Sequence, residues 1–390
     1  MTGRVSDEGT SDPPSARVTV IGAAAVDEWY AVSNLPAVDG GAYADEVVTA
    51  PGGVGGNVAV ALDRLRERDR EVALVSRVGD DEYGTAAVDA LAETGVETSL
   101  ITVGEAPTTR SLVLRAPNGD RAIVTTGESF RTLRLDDTML DVVADSDVVF
   151  LTAYAPDTVA RAVFDRLLAG DRSVDDADPD RPAVVFDLSG PVSELVGRGT
   201  RPPTIQRYAR RADLFVAGEV AAAAYFGGVD AAIERLSTAR AARPSVSGPA
   251  VLTHGANGAT VVTSETTTQV DAFEVETVDT TGAGDAFVAG LMDRWLLDGG
   301  TGSGETRTTC NTHPSGTGTC GPASTPEPAQ DQDSEPNQEL NVKRFLDAVR
   351  FASAAAAINC TGRFARSGLP TRAAVRQFLT ERADDERSSR

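Results

Sequence analysis

The segment that decides the fold spans residues 279–287 and reads Asp279-Thr280-Thr281-Gly282-Ala283-Gly284-Asp285-Ala286-Phe287. Its small residues let the backbone approach a ligand closely, and a helical pattern begins at about Gly284. The free N–H groups of a first helical turn form an anion site that suits a phosphate. Asp285 lies in that turn, where its carboxylate can take a proton from an incoming hydroxyl. The plainer alternative, a carboxylate that only complements the helix dipole, fits a short Gly-Ala-Gly-Asp better than this longer segment.

Along the rest of the chain, apolar β-branched runs alternate with helical patterns. This alternation predicts an α/β fold with a mostly parallel central sheet covered by helices. The predicted strands are 18–22, 72–76, 147–151, 183–187, 213–216, 251–253 and 259–263. The predicted helices include 54–65, 157–168, 228–236, 284–297 and 341–358. Two polar stretches at about 28–49 and 108–126, the second with an Asn-Gly turn, are expected to pair into a small β lid.

The pattern predicts one domain built from residues 17–297 and 341–380. Residues 1–16 are polar and are interpreted as a disordered N-terminus, and residues 381–390 as a tail. Residues 298–338 are dominated by Gly, Ser, Thr, Pro and acidic side chains, which predicts a disordered insertion. No apolar run approaches the ~20 residues of a membrane span, and the N-terminus has no signal-peptide pattern. We therefore expect a cytoplasmic protein.

The chain is strongly acidic, with 36 Lys plus Arg against 58 Asp plus Glu and a net charge of −22. Lys343 is its only lysine. Because the acidity is spread along the chain, we interpret it as adaptation to high salt rather than as a surface for one partner. Nucleic acids and anionic membranes need a positive face, so neither is expected as a partner. Three cysteines are too few for a disulfide framework.

Two further elements predict a polar ligand. Residues 52–59 read Gly52-Gly53-Val54-Gly55-Gly56-Asn57-Val58-Ala59 and open a helix. The glycines let backbone N–H groups approach a substrate, and the Asn57 amide offers both donors and acceptors to hydroxyls. Asp27 follows the first predicted strand, at the carboxyl edge where ligands bind in open α/β sheets.

These segments together resemble the ribokinase-like (phosphofructokinase-B type) sugar and nucleoside kinases, over residues 17–297 and 341–380. Residues 279–287 are similar to the C-terminal signature of that family, and residues 52–59 to its N-terminal signature. Val78-Gly79-Asp80-Asp81-Glu82-Tyr83-Gly84 resembles its next short motif. The resemblance implies a ribokinase-like fold and an ATP-dependent kinase that phosphorylates a hydroxyl of a small sugar or sugar acid.

The resemblance also implies roles for individual residues. Asp285 would be the catalytic base, with an anion hole formed by the backbone of Gly282, Ala283 and Gly284. The acceptor would be held by Asp27, Gly52, Gly53 and Asn57. ATP would lie along Thr253, Gly255 and Gly258, and Ser353 would belong to the helix that walls the adenine. Mg²⁺ would bridge the phosphates, as phosphoryl transfer generally requires.

The chain departs from the family pattern at two cation sites. Gly218 and Ala221 stand where an Asn-x-x-Glu motif linked to Mg²⁺ is expected, which leaves Glu219 as the candidate ligand. Phe364 stands where a glycine is usual, so a K⁺ site beside Asp279 and Thr281 is an open question.

Several alternatives stay open at the level of sequence. A nucleoside kinase would use aromatic residues of the lid, for which the candidates are Trp29, Tyr30 and Tyr43. A phosphorylated sugar would need cationic residues there, for which the candidates are Arg110, Arg115 and Arg121. A non-catalytic, metabolite-binding relative and a homodimer through the lid are also compatible with the sequence. A Rossmann dehydrogenase is excluded, because no Gly-x-Gly-x-x-Gly follows the first strand.

Overall fold

The computed structural model describes residues 16–67, 70–169, 181–242, 248–298 and 334–388. The strands within these ranges are β1 Ala16–Ile21, β2 Ala25–Val32, β3 Ala44–Gly52, β4 Arg70–Gly79, β5 Val96–Glu97, β6 Ile101–Gly104, β7 Arg110–Arg115, β8 Arg121–Thr126, β9 Val148–Thr152, β10 Ala183–Asp187, β11 Leu214–Gly218, β12 Ala250–Thr253, β13 Ala259–Val262 and β14 Thr267–Val270.

The helices within the same ranges are α1 Val54–Leu65, α2 Glu82–Ala92, α3 Asp137–Ala144, α4 Asp157–Leu167, α5 Val192–Leu195, α6 Pro202–Arg211, α7 Glu219–Phe226, α8 Val229–Ala241, α9 Ala283–Leu291, α10 Ser334–Asn359 and α11 Arg372–Ser388. A π-helical segment, Met292–Leu297, continues directly from α9. In the described residues, no helix is long and apolar enough to cross a membrane.

The main sheet has the strand order β14-β13-β12-β11-β10-β9-β1-β4-β5, with β6 also paired to β4. The strands from β12 across to β5 and β6 run parallel, whereas β13 and β14 run antiparallel. The helical crossovers that parallel pairing requires are supplied by the helices between the strands. The predicted fold class, a mostly parallel central sheet flanked by helices, is confirmed.

The core lies on both faces of this sheet, as expected for parallel strands covered by helices. Along β1, Val18 and Val20 belong to one apolar cluster, which also contains residues of α1, α9 and α10. Ile21 belongs to the opposite cluster, with residues of α3, α4, α6, α7 and α8. In that second cluster the ring of Phe186 stacks on Tyr208 at 4.3 Å between centroids. The continuous apolar runs that predicted the strands are the consequence of this two-sided burial.

The two polar stretches form a second, four-stranded sheet with the order β3-β2-β7-β8. The β2–β3 and β7–β8 pairs are antiparallel, and the two hairpin-like halves join through parallel pairing of β2 with β7. The sheet extends beyond the predicted ranges, from Ala25 to Gly52 in its first half. Exposed apolar side chains on it include Val47, Ile123 and Val124. A homodimer through this small sheet stays a prediction.

Several boundaries differ from the sequence prediction. Helix α10 begins at Ser334, seven residues before the predicted start at 341, and α11 continues through the predicted tail to Ser388. The predicted helix 284–297 changes to a π-helix at Met292. There the buried Asp293 pairs with two arginines, Arg70 at 2.8 Å and Arg372 at 3.1 Å. Of the residues predicted to be disordered, 1–16 and 298–338, the structure describes Ala16 in β1, Asp298 after the π-helical segment and 334–338 in α10. The others lie outside the described residues.

Helix α1 passes very close to the end of β1. A Cβ placed at Gly22 would lie 2.6 Å from the Cα of Gly55, and a Cβ at Gly55 would overlap the backbone of Gly22. Both neighbours are backbone, which cannot rotate away as a side chain can. Glycine at these positions therefore sets how closely α1 can approach the sheet.

We expect Gly55→Ala to lower the free energy of unfolding by about 2 kcal/mol, because the added methyl forces β1 and α1 apart. Gly41→Ala is the matched control, since nothing lies within 4 Å of a Cβ at that exposed position. Urea unfolding of both variants measures the difference. Equal stability of Gly55→Ala and wild type would contradict the close approach of helix and strand.

Candidate active site

The candidate site lies where the parallel strands end. Strands β1, β9, β10, β11 and β12 point the same way, so their carboxyl ends meet at one edge of the sheet. These strands end at Ile21, Thr152, Asp187, Gly218 and Thr253. Ligands of open α/β sheets bind at this edge. The chain that follows each strand is therefore where the predicted site residues should be found.

Helix α9 begins at this edge with a free N-terminus. Gly282 precedes it with φ 75°, and a Cβ there would lie 2.5 Å from the carbonyl oxygen of Ala365, so the position needs glycine. Among the described residues, the N–H groups of Gly282 and Gly284 have no acceptor. The Ala283 N–H makes a long bond of 3.3 Å to the Thr280 carbonyl. These three N–H groups can receive an anion, as the predicted anion hole requires.

The Asp285 carboxyl lies in the first turn of α9, half-buried beside the first turn of α1. Its Oδ2 accepts a hydrogen bond of 2.8 Å from Asn57 Nδ2. Burial raises the pKa of Asp285 to about 7, and the carboxylates of Asp187 and Asp27 raise it further, whereas Asn57 and Arg366 act against this. A carboxyl with this pKa changes its protonation state near neutral pH, which is what a general base needs.

Asp27 follows the first strand, as predicted, and lies in β2 of the small sheet. The chain turns at Gly22 straight into this strand, which places Asp27 opposite Ala50 of β3. Burial raises the pKa of Asp27 to about 6, although a hydrogen bond with Ser111 lowers it. A Cβ at Gly52 would overlap the Asp27 carboxylate, so Gly52 leaves room for that group. The structure thus brings Asp27 and Gly52 together.

Gly53 and Asn57 belong to the turn that opens α1. Gly53 has φ 83°, and a Cβ there would lie 2.5 Å from the Ala23 carbonyl oxygen. The backbone N–H of Asn57 donates to the Gly53 carbonyl at 2.9 Å, which starts the helix. This positions the Asn57 side chain toward Asp285. The predicted acceptor-binding residues and the predicted base therefore form one cluster.

The sequence analysis missed Arg366. This part-buried residue lies in the loop between α10 and α11 and reaches into the same cluster. Its Nε donates to Asn57 Oδ1 at 2.8 Å, and its Nη2 donates to the Gly52 carbonyl at 2.7 Å. Burial lowers the pKa of Arg366 to about 10, and the nearby carboxylates of Asp27 and Asp285 act against this. The family pattern was considered at Phe364, two residues earlier, but that position gave no sign that the arginine would reach the site.

Asp187, at the end of β10, was also missed. Its Oδ2 accepts a bond of 2.6 Å from Ser189 Oγ, and burial raises its pKa to about 6. Ser189 holds φ 57°, and its Oγ also lies 2.7 Å from Thr152 Oγ1. A signal for Asp187 existed, because it ends an apolar strand at the carboxyl edge, as Asp27 was thought to do.

A groove of about 370 Å³ lies along the same edge and is lined partly by the predicted nucleotide residues Thr253 and Gly255. Glu219, the predicted metal ligand, also lines it, with a half-exposed side chain whose Oε2 lies 3.6 Å from His254 Nδ1. Gly258 and Ser353 do not line this groove. Ser353 is buried on α10, and Gly258 ends a 3-10 turn with φ 83°.

Asp279 and Thr281 come together just before the anion-hole turn. The Asp279 carboxylate accepts from the backbone N–H of Thr281 at 3.0 Å and of Phe364 at 2.9 Å. Phe364 holds φ 62°, a conformation that explains why glycine is usual there. Arg121 Nη1 donates to Thr281 Oγ1 at 2.9 Å. The described residues contain no group of three or more His, Cys, Asp or Glu side chains that could hold a metal ion.

Residues 15–310 match the family described as pfkB family carbohydrate kinase. The chain belongs to this family. An ATP-dependent ribose-1-phosphate kinase from Halopiger xanaduensis is 28% identical to this pfkB kinase over 269 residues, which are 69% of this chain and 81% of that protein. Fructokinase-1 from Zea mays is 24% identical over 353 residues, which are 89% and 94% of the two chains.

The fold of this pfkB kinase is that of solved ribokinases. The structure of Arabidopsis thaliana ribokinase complexed with ribose and ATP is similar with a TM-score of 0.65 and 19% identity, covering 94% of this chain and 99% of that one. The predicted family and ribokinase-like fold are therefore confirmed. So is the enzyme class, a phosphotransferase that acts on a hydroxyl. The roles of the individual site residues stay predictions.

The raised pKa of Asp285 has a consequence for stability. Between the ordinary value of 3.8 and about 7, the folded protein keeps a proton that the unfolded chain has lost. The contribution of this carboxyl to stability is therefore fully present at low pH and is lost as the pH rises through about 7. We expect Asp285→Asn to unfold with a free energy larger than wild type by on the order of 1–2 kcal/mol at pH 8, and by less at pH 5.

Urea unfolding of both proteins at the two pH values measures this difference. Asp89→Asn, a change at an exposed position of α2, is the matched control and should show no such pH dependence. A gain in stability for Asp285→Asn that is the same at pH 5 and pH 8 would contradict the raised pKa.

Proposed function

We propose that this pfkB kinase transfers the γ-phosphoryl group of ATP to a hydroxyl of a small sugar or sugar acid, with Asp285 as the general base. One observation carries the proposal. A carboxyl with a pKa of about 7 lies beside the N–H groups of Gly282 and Gly284, which have no acceptor among the described residues. A base and an anion site so close together suit the transfer of a phosphoryl group to a hydroxyl.

In the proposed reaction, the acceptor hydroxyl gives its proton to the Asp285 carboxylate while its oxygen bonds to the γ-phosphorus of ATP. The bond between that phosphorus and its bridging oxygen breaks, so the products are the phosphorylated acceptor and ADP. The N–H groups of Gly282, Ala283 and Gly284 would stabilise negative charge on the transferring phosphoryl group. Asp27, with Gly52 leaving room beside it, would hold other hydroxyls of the acceptor.

ATP would lie along the groove at Thr253 and Gly255, with Gly258 shaping the turn that follows. Mg²⁺ is normally held by one or two carboxylates together with the substrate phosphates, so a site with few protein ligands fits it. Glu219 is suited to this role, because its side chain is half-exposed and lines the same groove. Ser353, which is buried on α10, would act only as part of the wall behind the adenine.

A monovalent cation beside Asp279 and Thr281 fits less well. Both Asp279 oxygens already accept backbone N–H groups. Two guanidinium groups lie close by, since Arg121 binds Thr281 Oγ1 and Arg115 Nη2 donates to the Val278 carbonyl at 2.5 Å. Positive charges of this kind disfavour a neighbouring cation. No step of the proposed reaction depends on K⁺.

The same two arginines favour a second candidate acceptor, a sugar that already carries a phosphate. Arg115 and Arg121 reach from the small sheet to the segment that precedes the anion hole. The third candidate, Arg110, is engaged by Glu28 at 3.2 Å and lies over the Tyr83 ring. The relative from Halopiger xanaduensis, named as an ATP-dependent ribose-1-phosphate kinase, supports the same choice.

A nucleoside acceptor, one of the alternatives that the sequence left open, gains less support. The indole of Trp29 is buried and packs edge-on against Phe364 at 5.4 Å, so its faces are not open for a base. Tyr43 is exposed, but no second ring partners it for stacking in the contacts of the described residues.

We also propose that the enzyme works in a cytoplasm of high salt, on the strength of its net charge of −22.

The proposal is tested by ADP release from MgATP in buffer with molar KCl. The acceptors are pentoses, hexoses, 2-keto-3-deoxy sugar acids, sugar phosphates and nucleosides. Turnover with sugars or sugar acids supports the main proposal, and turnover confined to sugar phosphates supports the second candidate. Folded protein that binds ATP but turns over no acceptor would instead indicate a non-catalytic, metabolite-binding protein.

With the acceptor identified, we expect Asp285→Asn to lower kcat by at least ~10²-fold, because the amide cannot take the proton of the hydroxyl. The Kd of ATP should stay nearly unchanged, since the N–H groups of the turn are kept. Steady-state kinetics and calorimetric ATP titration measure the two effects. Full activity in Asp285→Asn would refute the assignment of the base.

A further inference from the structure

Arg366, in the loop between α10 and α11, connects two of the predicted acceptor-binding residues, Gly52 and Asn57. Arg366 lies 309 residues from Asn57 along the chain, yet its Nε donates to the Asn57 side chain and its Nη2 to the Gly52 carbonyl. A Cβ at Gly56 would overlap the same Nη2, so the turn of α1 leaves a slot for the guanidinium. The position of Arg366 is thus fixed by Gly52 at the end of β3 and by Gly56 and Asn57 in the first turn of α1.

The chemistry of this contact determines which way the Asn57 amide points. A guanidinium has only donors, so the atom that faces Arg366 must be the Asn57 oxygen. The Nδ2 group then faces Asp285 and donates to its Oδ2 at 2.8 Å. The flipped amide would set N–H groups against the guanidinium and an oxygen against the carboxylate. Both contacts would be repulsive, so Arg366 selects the orientation that binds the base.

The charge of Arg366 acts in the same direction. Four groups from four different elements act on the Asp285 carboxyl, and they are Asn57 of α1, Asp27 of β2, Asp187 at the end of β10 and Arg366. The two carboxylates favour the protonated form of Asp285, whereas Asn57 and Arg366 favour the ionised form. Arg366 is the only positively charged group among these four. Only the ionised form of Asp285 can take a proton from a hydroxyl.

We propose that Arg366 is a positioning residue of phosphoryl transfer, which holds the Asn57 amide toward the Asp285 carboxylate and keeps that carboxylate ready to accept a proton. This inference rests on the proposed function, in which Asp285 is the base. Arg366 itself need not touch the acceptor or ATP. It acts through Asn57 and through its charge, so its loss should change the pH dependence of the reaction and not merely its rate.

The first test is the pH profile of kcat/KM for Arg366→Gln, from pH 6 to pH 9. Without the cation and the oriented amide, the acid limb should move to higher pH by about 1 unit. The activity lost relative to wild type should then be roughly tenfold larger at pH 6 than at pH 9. A loss of activity that is uniform across the pH range, with the acid limb unmoved, would overturn the proposal.

The matched control is Arg363→Gln, three residues earlier in the same loop. Arg363 is exposed and pairs with Glu46 at 3.1 Å, so its loss removes a charge from the loop without removing a contact to Asn57. Its acid limb should coincide with that of wild type. An equal shift in Arg363→Gln would show that any positive charge of the loop has this effect, and would overturn the specific role of Arg366.

A second readout needs no acceptor. The Asp285 carboxyl can be titrated by NMR in protein carrying carbon-13 at the side-chain carboxyl of aspartate, with Asp285→Asn to assign the signal. The midpoint should lie higher in Arg366→Gln than in wild type. If no acceptor is ever phosphorylated, the proposed function fails, but this titration still decides the role of Arg366. If the kinase is active and both proteins titrate alike, the role of Arg366 is refuted and the function stands.

Two milder variants cover the case in which Arg366→Gln does not fold. Arg366→Lys keeps the charge, but one ammonium cannot reproduce the planar pair of donors to Asn57 and Gly52. It should keep most of the wild-type acid limb while kcat falls severalfold. Gly56→Ala should displace the guanidinium and shift the NMR midpoint upward. Unchanged midpoints in both folded variants would overturn the proposal.

Discussion

The hydrogen bond from Asn57 Nδ2 to the Asp285 carboxylate joins two helix starts that lie 228 residues apart, and the geometry of the site depends on it. The half-buried Asp285 carboxylate and the buried Asn57 amide each need a partner, and here each supplies it to the other. The bond forms only if the first turns of α1 and α9 meet at one edge of the sheet. Gly55 lets α1 pack directly on the backbone of Gly22, and Gly282 lets the start of α9 pack directly on the backbone of Ala365.

Three carboxyl groups of the site lower the stability of the folded protein at neutral pH. Asp27, Asp187 and Asp285 lie near one another, and burial raises the pKa of all three carboxyl groups. A cluster of this kind opposes folding at neutral pH, since each carboxylate would be better solvated in the unfolded chain. Raised pKa values of this kind are typical of catalytic sites, where groups are held at the pKa values that their chemistry requires. The rest of the fold, with apolar clusters on both faces of the main sheet, supplies the stability that the cluster removes.

Much of the main sheet could be predicted from the sequence because its strands are buried on both faces. Such strands are continuous apolar runs, and β10 has the predicted bounds of Ala183–Asp187. The start of α1 could also be predicted, because paired glycines and a helical apolar pattern meet at Val54. The proposed base and its turn could be assigned from one segment, since the proposed anion site, the carboxylate and the helix start are all local properties of residues 279–287.

What the sequence could not provide depends on contacts between distant segments. The π-helical turn at 292–297 accompanies an ion cluster of Asp293 with Arg70 and Arg372, which only the folded chain brings together. That Asp27 lies in a strand of the small sheet could not be predicted, because the turn after β1 is too short to be recognised without its partner strands. No feature of the sequence marked Arg366 itself. Its proposed role depends on contacts with Asn57 and Gly52, which lie 309 and 314 residues away along the chain.

Arginine is physically better suited than lysine to position 366 of this acidic chain, which has a single lysine. In molar salt the screening length falls to about 3 Å, so exposed pairs such as Arg363 with Glu46 contribute little. Interactions within the part-buried cluster are screened much less, because ions have less access to it. A guanidinium is also less strongly hydrated than an ammonium, and its planar donors reach Asn57 and Gly52 together. The proposed effect of Arg366 on the Asp285 carboxylate is therefore less sensitive to salt than the pairs on the exposed surface.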